Sequence, residues 1–233
     1  MLYIIGLGLN DKGYSREAYD AILNSKMAYV DGYTVDFPYG LKELEKQFKG
    51  KKFIKADRNF VESFEILRNA KSRKVAFLVY GSPLTATTHI SLIQEAKKRK
   101  IKLKVIHSAS VLDAVAETGL QLYKFGKIAS MPNFQADSYI EIVMANLDIN
   151  AHSLVLVDIG MDFRNALSKL EEDCNSKKLN LGKILLCSRL GTKDSKVYYG
   201  HIKNLISKKV KSPFCFIIPA RLHFIEKEFL EGF

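Results

Sequence analysis

Leu2-Tyr3-Ile4-Ile5-Gly6-Leu7-Gly8-Leu9 decides the fold class, because it joins a continuous apolar run directly to a glycine-rich turn. A strand with apolar side chains on both faces belongs in a sheet covered on both sides, the arrangement of parallel α/β proteins. Glycines at positions 6 and 8 let a ligand approach the backbone, where a side chain would collide. Outward from this run, a polar turn leads to a helix near Ser15 to Asn24. Strands follow at Met27 to Tyr33 and Lys52 to Ala56, with a helix at Leu41 to Phe48 between them. Helical periodicity then covers Asn59 to Lys71, Val75 to Val79 is a second continuous apolar strand, Thr87 to Arg99 is an amphipathic helix, and Leu103 to His107 is a fifth strand. Such alternation predicts a mainly parallel sheet.

The second half reads differently. After a short helix near Val111 to Thr118, strands are predicted at Phe125 to Met131, Ser153 to Ile159, Lys183 to Arg189, Lys196 to Tyr199 and Phe214 to Pro219. Lys183 to Arg189 and Lys196 to Tyr199 flank a Gly-Thr-Lys-Asp turn, which predicts an antiparallel pair and hence a mixed sheet. The expected architecture is α/β in two domains, residues 1–108 and 109–233, with no Pro-, Gly- or Ser-rich linker and no internal repeat. A ligand is expected at the carboxyl ends of the strands, in the cleft between the domains.

With 233 residues and a hydrophobic share of 47%, the chain has material for a substantial core. It contains no run of about 18 uncharged apolar residues, and Leu2 to Ile5 follow Met1 without a basic flank or cleavage site. A soluble, cytoplasmic protein that does not engage a membrane is expected. Cys174, Cys187 and Cys215 are odd in number and far apart, without a C-x-x-C pair or histidine cluster. No metal is expected, and Cys187 and Cys215 lie in apolar runs that suit buried thiols. The net charge of +11 would attract polyanions. Its lysines are scattered in pieces such as Lys97-Lys98-Arg99-Lys100, Lys177-Lys178 and Lys208-Lys209-Val210-Lys211, which suit helix ends. A solvated surface is the favoured reading, with an acidic macromolecular partner as the sharper alternative, and direct nucleic-acid binding is not expected.

Gly6-Leu7-Gly8-Leu9 admits a dinucleotide-binding turn or a tight turn without ligand. The third glycine of G-x-G-x-x-G falls on Asp11, which weakens the first reading, although Asp31, about twenty residues on, stands where a ribose-binding carboxylate would. Asp31 and Tyr33 equally suit a structural corner. Tyr80-Gly81-Ser82-Pro83-Leu84-Thr85-Ala86-Thr87-Thr88-His89 follows the Val75 to Val79 strand; Gly81 and Pro83 stop the strand, and Thr87 or Thr88 suits a helix cap.

These segments, with His107-Ser108-Ala109-Ser110-Val111, Thr118 to Lys127, Leu156-Val157-Asp158-Ile159 and Pro219-Ala220-Arg221-Leu222-His223, resemble the diphthine synthase family over nearly the whole chain and in the same order. Ala86-Thr87-Thr88-His89 and Tyr123-Lys124-Phe125-Gly126-Lys127 are specific to that family, whereas the Gly-x-Gly strand and Gly-x-Pro loop are shared with the wider tetrapyrrole methylase superfamily. The resemblance implies S-adenosyl-L-methionine held between two α/β domains, a homodimer, and transfer of methyl groups with S-adenosyl-L-homocysteine as product. It implies cofactor contacts at Leu9, Ser82, Thr85, Ser110, Val111, Val157, Leu190 and Phe214, several of them through the main chain. The family usually carries Gly-Asp-Pro where this chain has Gly81-Ser82-Pro83, so a carboxylate is replaced by a hydroxyl.

The implied substrate is the 3-amino-3-carboxypropyl group on a modified histidine of elongation factor 2, whose neutral amine attacks the methyl group. In-line displacement from a sulfonium needs positioning more than a strong acid or base, so no catalytic triad is expected. His89, His107 and His223 are candidates for moving the amine's proton or for structural hydrogen bonds; Arg189 and Arg221 suit either carboxylate binding or structural ion pairs. Rival readings are a tetrapyrrole or ribosomal RNA methyltransferase of the same superfamily, and a non-enzymatic binding module on this fold.

Overall fold

The computed structural model describes residues 1–233, which divide into two compact units, Met1–Asp113 and Ala114–Phe233. The first unit runs β1 (Leu2–Gly6), α1 (Arg16–Leu23), β2 (Met27–Asp31), α2 (Leu41–Gln47), β3 (Ile54–Ala56), α3 (Arg58–Glu62), α4 (Glu65–Ser72), β4 (Val75–Val79), α5 (Ile90–Lys98) and β5 (Leu103–Ile106). Its strands are all parallel in the order β3-β2-β4-β1-β5. All five residues of β4 are buried, as the continuous apolar run demands of a central strand covered on both faces.

Alternate side chains of each strand feed two separate cores. Ile5, Val30, Ala76 and Leu78 pack against Ala18, Ile22 and Leu44 from α1 and α2 and against Phe48 just beyond α2. Leu2, Ile4, Phe77 and Val79 pack against Val61, Ile66, Leu67, Leu92 and Ala96 from α3, α4 and α5. Helices thus cover opposite faces of a doubly wound sheet, and the winding reverses between β1 and β4, the place where such sheets open a ligand crevice at their carboxyl ends.

Local chemistry fixes the helix starts. Ser15 accepts the Ala18 N–H at 3.1 Å to begin α1, and Asp57 accepts the Phe60 N–H at 2.8 Å to begin α3. The helix predicted over Asn59 to Lys71 is in fact two, because Phe64 adopts a left-handed φ of 62° and re-aims the chain. The helix predicted from Thr87 begins at Ile90, and neither threonine caps it through its side chain: the Thr87 hydroxyl donates instead to the Pro83 carbonyl at 3.0 Å.

After α6 (Val111–Ala114), the second unit contains β6 (Ala129–Met131), α7 (Ser138–Asp148), β7 (Ser153–Val157), α8 (Phe163–Ser176), β8 (Ile184–Ser188), β9 (Lys196–Gly200), α9 (Ile202–Leu205), β10 (Phe214–Ile218) and α10 (Phe224–Leu230). Its sheet order is β6-β7-β10-β8-β9, parallel between β6 and β7 and antiparallel elsewhere, including the expected β8–β9 pair. Only Ala129–Met131 of the strand predicted at Phe125 to Met131 is a strand; Phe125 makes an isolated bridge to His152. No helix is long and apolar enough to cross a membrane.

Candidate cofactor site

Three loops leave the adjacent strands β4, β1 and β5 at their carboxyl ends and are tied into one knot. The Gly8 N–H donates to the Gly81 carbonyl at 3.2 Å, and the Gly81 N–H returns to the Gly8 carbonyl at 2.9 Å. The Tyr80 hydroxyl donates to the Leu9 carbonyl at 3.0 Å, and the Ser108 hydroxyl donates to the Gly13 carbonyl at 2.8 Å. A Cβ at Gly6 would lie 2.6 Å from the Gly81 oxygen and 2.9 Å from Pro83 Cδ, so only glycine admits this approach.

This end of the sheet brings together five of the eight expected contact residues. Leu9 is buried beyond β1, and the Ser82 carbonyl accepts the Thr85 N–H at 3.2 Å in a turn beyond β4. Ser110 is buried at the start of α6, where its hydroxyl accepts the Leu112 N–H at 3.2 Å and its N–H donates to Asp113 Oδ2 at 2.6 Å; Val111 is the first residue of that helix. Gly6 to Asn10, Tyr80 to His89 and His107 to Val111 contain no lysine or arginine, so their own side chains place no fixed positive charge against a sulfonium.

The other three expected residues share one end of the second unit's sheet. Val157 ends β7, Phe214 begins the antiparallel β10, and Leu190 follows β8, whose Ser188 is registered with Phe214. Glu117 holds the segment after β8, accepting the Gly191 N–H and the Ser195 hydroxyl at 3.0 Å each. Arg189 belongs to this scaffold: its Nε donates to the Ser212 carbonyl at 2.8 Å, and it pairs with Asp194 at 3.3 Å.

The remaining candidates separate. Asp31 is buried in a structural corner, with Oδ1 accepting the Tyr33 N–H at 3.1 Å and Oδ2 accepting the Thr34 hydroxyl, so it is not displayed to a ribose. His107 is exposed beyond β5, and His223 caps α10. His89 is buried, with Nδ1 3.1 Å from the Pro83 carbonyl. Arg221 is exposed and contributes main-chain contacts, its carbonyl accepting from Lys124 at 3.1 Å.

Sequence reading missed one buried cluster. Glu226, fully buried, accepts four hydrogen bonds: from Lys124 Nζ at 2.6 Å, the His223 N–H at 2.7 Å, the Gln121 N–H at 3.0 Å and His152 Nε2 at 3.1 Å. The Ala220 N–H donates to His152 Nδ1 at 3.0 Å, which fixes the neutral tautomer with its proton on Nε2. Burial raises the Glu226 carboxyl, but the four donors, Lys124 foremost, overcome this and hold it at about 2. Lys124 from the Tyr123 to Lys127 segment thus fastens the chain to Arg221 and Glu226, whereas Tyr123 of the same segment is exposed.

Comparison with known proteins agrees with this geometry. The family model of tetrapyrrole (corrin/porphyrin) methylases matches residues 1–206. The chain is 35% identical to the diphthine methyl ester synthase of Dictyostelium discoideum, over all of this chain and 98% of that one. It is 34% identical to the diphthine synthase of Methanococcus maripaludis, over 99% of this chain and 98% of that one. A solved diphthine synthase structure superposes with a TM-score of 0.91 at 30% identity, covering 100% of this chain and 95% of that chain. A doubly wound sheet with a glycine knot at its switch point, a second mixed sheet and these full-length likenesses place the chain in the diphthine synthase family of tetrapyrrole methylases, S-adenosylmethionine-dependent methyltransferases of diphthamide biosynthesis.

Proposed function

We propose that the chain methylates the amino group of the 3-amino-3-carboxypropyl histidine of elongation factor 2, taking methyl groups from S-adenosyl-L-methionine and releasing S-adenosyl-L-homocysteine. The observation that carries the reading is the knot of Gly6, Gly8 and Gly81, which brings three loops free of lysine and arginine to the switch point of a parallel sheet. When bound, the cofactor supplies an electrophilic methyl on a cationic sulfur. The chain's own part is to hold it, and the family resemblance supports contacts at Leu9, Ser82, Thr85, Ser110, Val111, Val157, Leu190 and Phe214. Largely main-chain contacts suit this mixed set of side chains. Ser82 contributes a hydroxyl rather than a charge.

Exclusion of water around the incoming amine favours its neutral, nucleophilic form, and positioning does the rest. The protein acts as a homodimer in the cytoplasm, and its net charge of +11 suits an acidic docking face on the elongation factor. Relatives with full-length matches support a protein substrate over a tetrapyrrole or ribosomal RNA.

One of those relatives is named for a methyl ester, which favours a second acceptor, the carboxylate of the same side chain. Labelled S-adenosyl-L-methionine, incubated with elongation factor 2 carrying the aminocarboxypropyl histidine, tests both. Label on that residue is expected, and a base-labile fraction released as methanol reports the ester. A histidine fragment that stays unlabelled while a known diphthine synthase labels it overturns the reading.

A further inference from the structure

His89 is the one buried histidine of the first unit, and it lies where the loop after β4 turns into α5. The Pro83 carbonyl can only accept, so the contact of 3.1 Å places a proton on Nδ1. The same carbonyl accepts from Thr87 at 3.0 Å. Nε2 is buried without a hydrogen-bond partner and faces Asp31 Oδ2 at 3.6 Å. Asp31 is itself fixed at the end of β2 by the Tyr33 N–H and the Thr34 hydroxyl. Ring edges complete the enclosure: Phe77 of β4 is centred 5.0 Å from the imidazole and Tyr33 6.1 Å, both near perpendicular.

A nitrogen that is buried without a partner is costly; with the imidazole proton on Nδ1, Nε2 is tied to Asp31 only by a second proton taken up from solvent and held between them, as imidazole and carboxylic acid or as imidazolium and carboxylate. The imidazole therefore spans two neighbouring strands: one nitrogen grips the loop after β4, and the other faces the carboxylate that ends β2. Thr88 adds a parallel tie, its hydroxyl 3.4 Å from that of Tyr33.

We propose that His89 is a positioning residue, suspending the Pro83 end of the Gly81 to Thr88 loop from Asp31 and so holding Ser82 and Thr85 where the cofactor binds. The second half of this proposal rests on the assignment of that loop to the cofactor.

Two substitutions separate the two nitrogens. In His89→Asn the amide nitrogen stands near the Nδ1 position and keeps the bond to Pro83; in His89→Gln it reaches the Nε2 position and keeps only Asp31. Suspension needs both nitrogens, so calorimetric titration with S-adenosyl-L-homocysteine is expected to show H89N and H89Q each weakened about tenfold. Amide hydrogen exchange of Gly81 to Thr88, read without cofactor, is expected to quicken in both variants. Exchange as slow in either variant as in the unsubstituted protein overturns the suspension, whatever the cofactor does. Altered exchange with unaltered affinity overturns the link to binding. A protein that binds no homocysteine compound before substitution overturns the cofactor assignment, leaving the exchange result to judge the suspension alone.

Discussion

Gly8 and Gly81 exchange both of their backbone hydrogen bonds, at 3.2 and 2.9 Å, and each does so at a positive φ, 70° and 71°. A β-type cross-tie between two loops fixes the spacing of the chain segments that leave β1 and β4. The two glycines differ in what surrounds them, and that difference is measurable.

A Cβ at Gly8 would lie 2.5 Å from the Gly13 carbonyl oxygen, whereas one at Gly81 meets nothing nearer than 3.8 Å. Gly8→Val is expected to destabilise the protein by about 2–4 kcal/mol and to weaken S-adenosyl-L-homocysteine binding by more than about tenfold. Gly81→Ala should cost about 1–2 kcal/mol, from the left-handed backbone alone. Denaturant unfolding and calorimetric titration check both, and equal costs would contradict the packing described.

Acid should attack the second unit through Glu226. With the folded carboxyl at about 2 and an ordinary value of 4.5, the group binds fewer protons folded than unfolded. Its contribution of about 3 kcal/mol is complete above the unfolded value and lost as pH falls from about 5 toward 2. His152 works in the same sense: burial outweighs the pull of Glu226 and holds it below 6.5, so folding resists its protonation as pH falls through that range. Glu226→Gln is expected to flatten the loss between pH 5 and 2 and to lower stability at pH 7 by about 3 kcal/mol, read by urea unfolding across pH.

Lys100 and Lys178 adopt left-handed φ values of 54° and 56° just beyond α5 and α8. Both close their helices in the manner usually given to glycine, with Ile101 N–H bonded to the Ala96 carbonyl and Leu179 N–H to the Cys174 carbonyl, each at 2.9 Å. Glycine at either position should stabilise by about 0.5–1 kcal/mol, since relief of the Cβ clash exceeds the added chain entropy. A rise in melting temperature of about 1–4 °C is the expected readout.

All three thiols should be silent in the folded protein. Burial and the neighbouring Asp173 push Cys174 up to about 12. Cys187, raised by its hydrogen bond with Cys215 and by burial, faces that residue across β8 and β10. Thiolate is the reactive species, so a thiol reagent is expected to label none of them until denaturant is added.

Much of the fold was legible because it is local. Val75 to Val79 reads as a buried strand from its own composition, and Ser15 and Asp57 announce the helices they cap. Phe64 breaks a periodic helix by one left-handed residue that no glycine signals. Thr87 had the chemistry of a cap, yet its hydroxyl turned back to Pro83, a choice made by the loop's path. Close approach of the loops after β1 and β4 was legible from their glycines. Asp31 and His89, or Lys124 and Glu226, are far apart in sequence, and no periodicity relates them. Tyr123 to Lys127 was legible only as a likeness; that its Lys124 meets a buried carboxylate was not.

The position of β10 bears on how the protein is made. Every strand of the first sheet has been synthesised once Ile106 emerges, so that unit can assemble while the remainder is still being translated. In the second sheet β10 is the last strand in sequence but lies between β7 and β8. At about 5–20 residues per second, β7 waits several seconds with an unpaired edge before its neighbour leaves the ribosome. During that interval one edge of β7 presents unpaired backbone groups, which makes the second unit the part of the nascent chain more exposed to mispairing.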